Sequence, residues 1–252
     1  MTTAILSALA DEQRGLIEQL KKPMKVLRAG REFWCGELQG HPVVLALSKI
    51  GKVAAATTAT TLIEAFKAQR IVFTGVAGGL GPGVRVGDVV VATGFFQHDM
   101  DASPLFPRFE IPLYGRTVLP CDAPLSALLL EAIQASCTGP KGLFNMRNAE
   151  PNLAVHSGPI ASGDRFVSGL KESLDLQHVM QTQGLLPLAV EMEGAAVAQV
   201  CFDYGIAFAA VRTISDRADD QAHVDFLSFV TEVASVYALA IVNELMRLLP
   251  KK

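Results

Sequence analysis

Glu191 and Glu193 sit two positions apart in the apolar run "AVEMEGAAVAQV", residues 189–200, on either side of Met192. A carboxylate removed from water is costly unless it is paired, hydrogen-bonded or neutralised by a shifted pKa. Strand alternation would send the two acids to opposite faces, whereas a strand-to-helix junction would aim one of them into a cleft. A second group is "VRTISD", 211–216, which ends in Ser215 and Asp216. Asp216 reads either as a cap for a following helix or as a site acid. Arg212, inside the same apolar strand, needs a carboxylate partner, and the acids at 191 and 193 are the candidates. In "ASGDRF", 161–166, Asp164 and Arg165 fall in a turn and Phe166 offers a stacking surface. Acids of this kind suit general acid–base work when their surroundings push their pKa values apart.

The stretch "TGVAGGLGPGVRVGD", 74–88, is dense in glycine after an apolar strand. It has no Gly-Lys-Ser/Thr and misses the GxGxxG register, so neither phosphate-loop fingerprint applies. Two readings stay open: turns that need positive φ, and a close approach of backbone to a ligand.

Alternating elements must position these groups. Strands are expected over 3–10, 70–77, 87–97, 152–162, 186–192 and 206–215, with a hairpin over 31–48 turning near residues 39–41. Helices are expected over 11–20, 51–69, 123–135, from about 194, and over 223–249. This pattern predicts one α/β domain over 1–252, a central mixed and largely parallel sheet flanked by helices. Ligands in such sheets bind beyond the carboxyl ends of strands, where segments 75–83, 191–193 and 212–216 fall.

Half of the 252 residues are hydrophobic and the net charge is −3 with acids and bases mixed. No basic stripe points to a nucleic-acid polymer or a membrane surface. The first residues lack a charged leader, and no uninterrupted apolar run approaches the ~18 residues of a spanning helix. Cys35, Cys121, Cys137 and Cys201 are scattered and read as reduced thiols, and the five histidines are isolated. A cytoplasmic protein without metal or cofactor is the expectation.

Taken together, "VEMEGAAVA", "VRTISD", "TGVAGGL" and "ASGDRFV" resemble the nucleoside phosphorylase/nucleosidase superfamily, and within it the 5'-methylthioadenosine/S-adenosylhomocysteine nucleosidases. The likeness runs from "ILSALADE" through "LSKIGKVAAA" to the C-terminal helix. It implies a nucleoside phosphorylase-like fold and hydrolysis of the N-glycosidic bond of adenosine thioether nucleosides, without cofactor or metal. It implies that Glu193 binds the ribose hydroxyls with Met192 packed against it, that Asp216 after Ser215 faces N7 and the exocyclic amine of adenine, and that Phe166 stacks on the base while the Val167 backbone meets its edge. Glu12 would position and activate the water, Arg212 would hold the acids, and Glu191 would point elsewhere and be structural. Val76 departs from the family, many members of which carry a hydroxyl residue there. A homodimer is implied, with loop 98–115 reaching the neighbouring pocket.

The chemistry is coherent by itself. Cleavage of an N-glycosidic bond builds positive charge on ribose and negative charge on the departing base. A proton delivered to N7 neutralises the leaving group, and carboxylates beside the sugar stabilise the cation-like centre and take a proton from water. The rivals are a purine nucleoside phosphorylase of the same fold, a nucleosidase for another adenosine derivative such as aminodeoxyfutalosine, and a catalytically dead nucleoside sensor. Glu12 would repel phosphate, which disfavours the first; retention of Glu12, Glu193 and Asp216 disfavours the last.

Overall fold

The computed structural model describes residues 1–138 and 153–250. The apolar run 3–7 forms β1 (Thr3–Ser7), which lies between β4 (His41–Leu47) and β5 (Arg70–Gly79), parallel to both. Alternation sorts its side chains: Ala4 and Leu6 enter one core layer and Ile5 the other. Ile71 and Phe73 of β5 likewise oppose Val72. Such runs, buried on both faces, are what a parallel sheet covered by helices requires.

The strands form one ten-stranded sheet among the described residues. β5 continues to β10 (Ala207–Asp216), β10 pairs antiparallel with β6 (Val89–Gln97), β6 runs parallel to β8 (Val155–Ser162), and β8 to β9 (Ala189–Glu191). β9 returns to β5 at Gly78 and Gly79, so five strands close on themselves. The far edge is an antiparallel meander of β4, β3 (Arg31–Leu38) and the exposed β2 (Lys21–Arg28), which tolerates Pro23 because it is an edge strand. A short β7 (Leu119–Pro120) pairs with β6.

Helices cover both faces. On one side α1 (Lys52–Glu64) packs on α4 (Gly194–Tyr204) through Ala55, Ala59, Ala195 and Ala198, small residues that let the backbones approach. On the other, α2 (Ala123–Thr138) packs on α6 (Ser235–Leu248) through Leu125, Leu129, Ile133, Ile241, Val242 and Leu245. Between α5 (Ala222–Phe229) and α6 the helix widens to π geometry over Val230–Ala234, beside Val76. π segments are frequent near functional sites.

The expected mixed α/β architecture is present, with four differences. The expected helix 11–20 is instead two 3-10 turns, Ala10–Gln13 and Ile17–Gln19, separated at Gly15 with φ +89°. Gln13 there turns inward and donates to the carbonyls of Ile5 and Ala46 at 3.1 and 2.9 Å, tying the turn to the sheet. β2, β7 and α3 (Leu170–Thr182) were not anticipated; the first and last lie largely on the surface, without a strong apolar period. The strand expected over 152–162 begins at Val155, and Asn152 lies outside the described residues. The stretch Asp225–Leu248 is long and apolar enough, by length and composition, to cross a bilayer, which the absence of an uninterrupted apolar run did not suggest. Its face of Tyr237, Ile241, Val242, Leu245 and Met246 is buried in the α2 layer, as in a core helix.

Gly194 opens α4 because nothing larger fits: a Cβ there would lie 2.1 Å from the buried Phe95 ring. Gly194→Ala is expected to destabilise by about 1–3 kcal/mol through overpacking. Phe95→Leu in the same chain should recover part of the loss in a denaturant melt. An unchanged midpoint in the single variant would mean that Phe95 moves aside freely.

Candidate functional site

β1, β5, β9 and β10 deliver their carboxyl ends to one cavity of about 360 Å³. Its wall includes Glu12, Val76, Gly78, Phe166, Val167, Glu191, Met192, Glu193, Ser215 and Asp216. Of the residues given a role in the site from the sequence, all but Arg212 reach this wall; Asp164, in the turn before Phe166, lies outside it.

Arg212 stands behind it. Its guanidinium is buried, lies 4.0 Å over the Phe73 ring, donates to the carbonyls of Phe73 and Val211, and pairs with Glu191 Oε2 at 2.8 Å. Arg212 thus holds an acid, as expected, but from behind the wall and without reaching the substrate cavity, because Glu191 and the sheet use its donors. Glu191 lines the cavity, yet its oxygens are committed: Oε1 accepts from Ser162 Oγ, and the pair accepts from the Gly194 N–H at 2.9 Å. Oε2 also accepts from the Glu193 N–H at 3.2 Å. These are the otherwise unpaired donors at the start of α4, where the helix dipole favours an anion.

Glu193 caps the same helix with non-helical backbone (φ −134°, ψ −36°), so the strand has ended and alternation no longer governs it. Its Oε1 accepts from the Gly51 N–H at 2.7 Å. Burial first, and then the charge of Glu191, push its carboxyl up to about 8, against the pull of Gly51 and Arg212.

Glu12 comes from the first 3-10 turn. Its Oε2 accepts from the Ala8 and Leu9 N–H groups at 2.8 and 2.9 Å and Oε1 from the Val76 N–H at 3.1 Å. Burial raises its pKa, opposed by those donors and by Arg212. The bond from residue 76 to Glu12 is through the backbone and so does not depend on the Val76 side chain, which offers the cavity an apolar surface where many relatives carry a hydroxyl. Asp216 lies just past a bulge in β10, where Ile214 and Asp216 face successive β5 residues Ala77 and Gly78. Ser215 Oγ donates to its Oδ2 and the Ala218 N–H to its Oδ1, both at 2.8 Å. Burial nonetheless raises its pKa, helped by the charges of Asp219 and Asp225.

The glycine-dense stretch resolves into two jobs. Gly83 and Gly87 take positive φ in turns. Gly75 and Gly78 lie within β5 and make room for acids: a Cβ at Gly75 would be 2.9 Å from Glu12 Oε1, and one at Gly78 would be 2.9 Å from Asp216 Oδ1. Opposite the acids, the half-exposed Phe166 meets Phe226 of α5 edge-on at 5.6 Å between centroids. Among the described residues no group of three or more His, Cys, Asp or Glu side chains is placed to hold a metal.

Residues 2–247 match the phosphorylase superfamily. The chain belongs to that superfamily. Within it the chain is 35% identical over 239 residues to the 5'-methylthioadenosine/S-adenosylhomocysteine nucleosidase of Bacillus thuringiensis, covering 93% of this chain and 94% of that protein. The structure of the nucleosidase of the same name from Neisseria meningitidis, in complex with methylthio-immucillin-A, superposes with a TM-score of 0.86 at 32% identity, over 98% of this chain and 99% of that one. Futalosine hydrolase of Helicobacter pylori superposes with a TM-score of 0.84 at 30% identity, covering 98% of both chains. The chain thus groups with the methylthioadenosine/adenosylhomocysteine nucleosidases of the phosphorylase superfamily.

For this member of the superfamily, sequence reasoning missed Phe226, Ile50 and Leu9, apolar residues of the cavity wall. Phe226 was legible only as one apolar position in an amphipathic helix. Gly51 was missed as well, because a backbone donor leaves no side-chain signature.

The raised carboxyl of Glu193 has a stability consequence. The folded chain binds its proton more tightly than the unfolded chain, so between about pH 4.5 and 8 folding takes up a proton and stability falls as pH rises. Glu193→Gln, which keeps an acceptor for Gly51, should therefore raise the thermal midpoint more at about pH 8 than at about pH 5. Equal changes at both would show that another group carries the dependence.

Proposed function

We propose that the chain hydrolyses the N-glycosidic bond of 5'-methylthioadenosine and S-adenosylhomocysteine, releasing adenine and the thioribose product. The observation that carries this reading is the set of three buried acids, Glu12, Glu193 and Asp216, around one cavity with an aromatic residue at its mouth. Each has a raised pKa and a different set of donors. The full-length likeness to nucleosidases of that name supports the substrate class.

In this mechanism the adenine lies against Phe166 with its edge at the Val167 backbone. Burial raises the pKa of Asp216, which favours its role as the general acid that donates a proton to N7 as the glycosidic bond breaks. Glu193 accepts from the ribose hydroxyls, with Met192 alongside. Glu12 orients the water and takes its proton, its carboxylate fixed by three backbone donors. Glu191 and Arg212 form a neutral pair that holds the wall without touching the reacting atoms.

Water, rather than phosphate, is the nucleophile in this reading. Among the described residues the cation lining the cavity is Arg165, and it pairs with Glu172 at 2.5 Å. A phosphate dianion needs cations or oriented donors, and Glu12 turned into the cavity would repel it. The structural likeness to futalosine hydrolase supports a second reading, a different adenosine-derived substrate for the same residues.

Incubation with methylthioadenosine in phosphate-free buffer should give adenine and free methylthioribose. A sugar 1-phosphate formed only on addition of phosphate would overturn the hydrolytic reading, and a far higher kcat/KM on a futalosine-type nucleoside would favour the second one. Asp216→Asn should lower kcat by roughly 10²–10⁴-fold with adenine affinity partly kept, and Glu12→Gln should lower kcat with KM nearly intact.

The same reading places the enzyme in the cytoplasm as a homodimer, with loop 98–115 reaching the neighbour's pocket over the alkylthio group. Free thiols at Cys35, Cys121, Cys137 and Cys201 fit a reducing compartment. Leu105 and Leu113 are 84% and 90% exposed, and Phe202 beside Arg116 and Tyr114 extends the apolar surface. Light scattering should report a dimer, and Leu113→Asp should shift it toward monomer while raising KM for the thioether nucleoside. A wild-type monomer at micromolar concentration would exclude this assembly.

A further inference from the structure

Gly51, whose N–H meets Glu193, sits in the left-handed region at φ +94° and immediately precedes α1. The next N–H, of Lys52, donates to Asp164 Oδ1 at 2.8 Å. Two successive donors at the start of one helix thus each receive a carboxylate, one from the cavity wall and one from the turn before Phe166. The second carboxylate is locked from behind. Asp99 donates nothing and accepts twice: its Oδ1 from Lys52 Nζ at 2.6 Å and its Oδ2 from the Asp164 N–H at 2.9 Å. Lys52 Nζ also donates to Gln97 at 2.9 Å, and Gln97 donates to Gln199 of α4, the helix that Glu193 caps. A Cβ on Gly51 would lie 3.1 Å from Asp164 Oδ1, so the turn fits closely.

We propose that Asp164, Lys52 and Asp99 form a positioning latch that holds the Gly51 N–H against Glu193 and so sets the enzyme's affinity for the sugar half of its substrate. None of the three lines the cavity. They act through the backbone of residues 51 and 52, and Asp99 connects the start of loop 98–115 to the sugar site of its own subunit. The inference rests on Glu193 as the ribose-binding acid.

The physical case is one of orientation. A carboxylate with one oxygen fixed presents the other to the diol in a single geometry, whereas a freed one must be ordered at the moment of binding. The Gly51 donor meets the buried Glu193 Oε1 at 2.7 Å, and a buried group that loses its partner is costly, so release of that donor is felt.

The test uses the full chain, with adenine as a ligand that lacks the sugar. Asp164→Ala should raise KM for methylthioadenosine about tenfold, the scale of one hydrogen bond, and leave inhibition by adenine unchanged. Asp164→Asn, which keeps an acceptor for the Lys52 N–H, should restore most of the affinity. In a Glu193→Gln background Asp164→Ala should add little, because both changes act on the same contact. Equal losses for adenine and nucleoside, or an undiminished effect in the Glu193→Gln background, would overturn the latch. If Glu193→Gln itself leaves nucleoside affinity intact, the ribose assignment fails; a KM rise with Asp164→Ala alone would then be a structural effect and would overturn the latch too.

Discussion

The buried pair between Arg212 and Glu191 is the interaction on which the site depends. Arg212 rises from the middle of β10, is enclosed by the sheet, and spends its donors on β5, on its own strand and on Glu191. Glu191 in turn gathers the N–H groups that begin α4, shared with Ser162, which itself accepts from Ala195. Such a pair gives little net stability over an apolar replacement, but removing one partner strands a charge in a dry interior at a cost of about 3–5 kcal/mol. Its value is geometric: one neutral unit joins β5, β9, β10 and α4 at the point where the cavity opens.

That neutral unit is what allows three more acids to gather nearby. Glu12, Glu193 and Asp216 are all buried, and burial is the largest influence on each. They differ in what opposes it. Glu12 has three backbone donors, Glu193 has one donor and an acidic neighbour, and Asp216 has a serine, one amide and two more distant acids. Environments that differ in this way allow one acid to keep its proton while another gives it up. The arrangement also weakens the fold as pH rises, a trade of stability for chemistry that active sites commonly make.

The glycines of β5 belong to the same account. A strand interior is a poor place for glycine, which packs nothing and is entropically costly. Gly75 and Gly78 are present because the carboxylates of Glu12 and Asp216 occupy the space that side chains would fill. Close approach therefore explains these two, and turn geometry explains Gly83 and Gly87 further along.

The sequence by itself determined the layers and the chemistry. Its doubly buried apolar strands, alternating with helices, specify a covered, mixed sheet, although half of the observed pairings are antiparallel rather than the expected large majority parallel. Acids in those apolar surroundings point to a site, because an unpartnered charge there is too costly to keep. Arg212 was legible as needing an acid for the same reason. The choice between Glu191 and Glu193 was not readable from spacing, because it depends on the strand ending at Glu191 and on the Gly51 turn arriving from a distant part of the chain. Segment 11–20 looked helical because its acids and apolar spacing suit a helix, yet Gln13 and Glu12 turn inward to bond strands and loops that are remote in sequence. Local pattern reports what a residue can afford to expose. Only the tertiary structure brings the remote Gly51 N–H to 2.7 Å from Glu193 and the remote Val76 N–H to 3.1 Å from Glu12, completing environments that local donors begin at Glu12 and alone supply at Asp216.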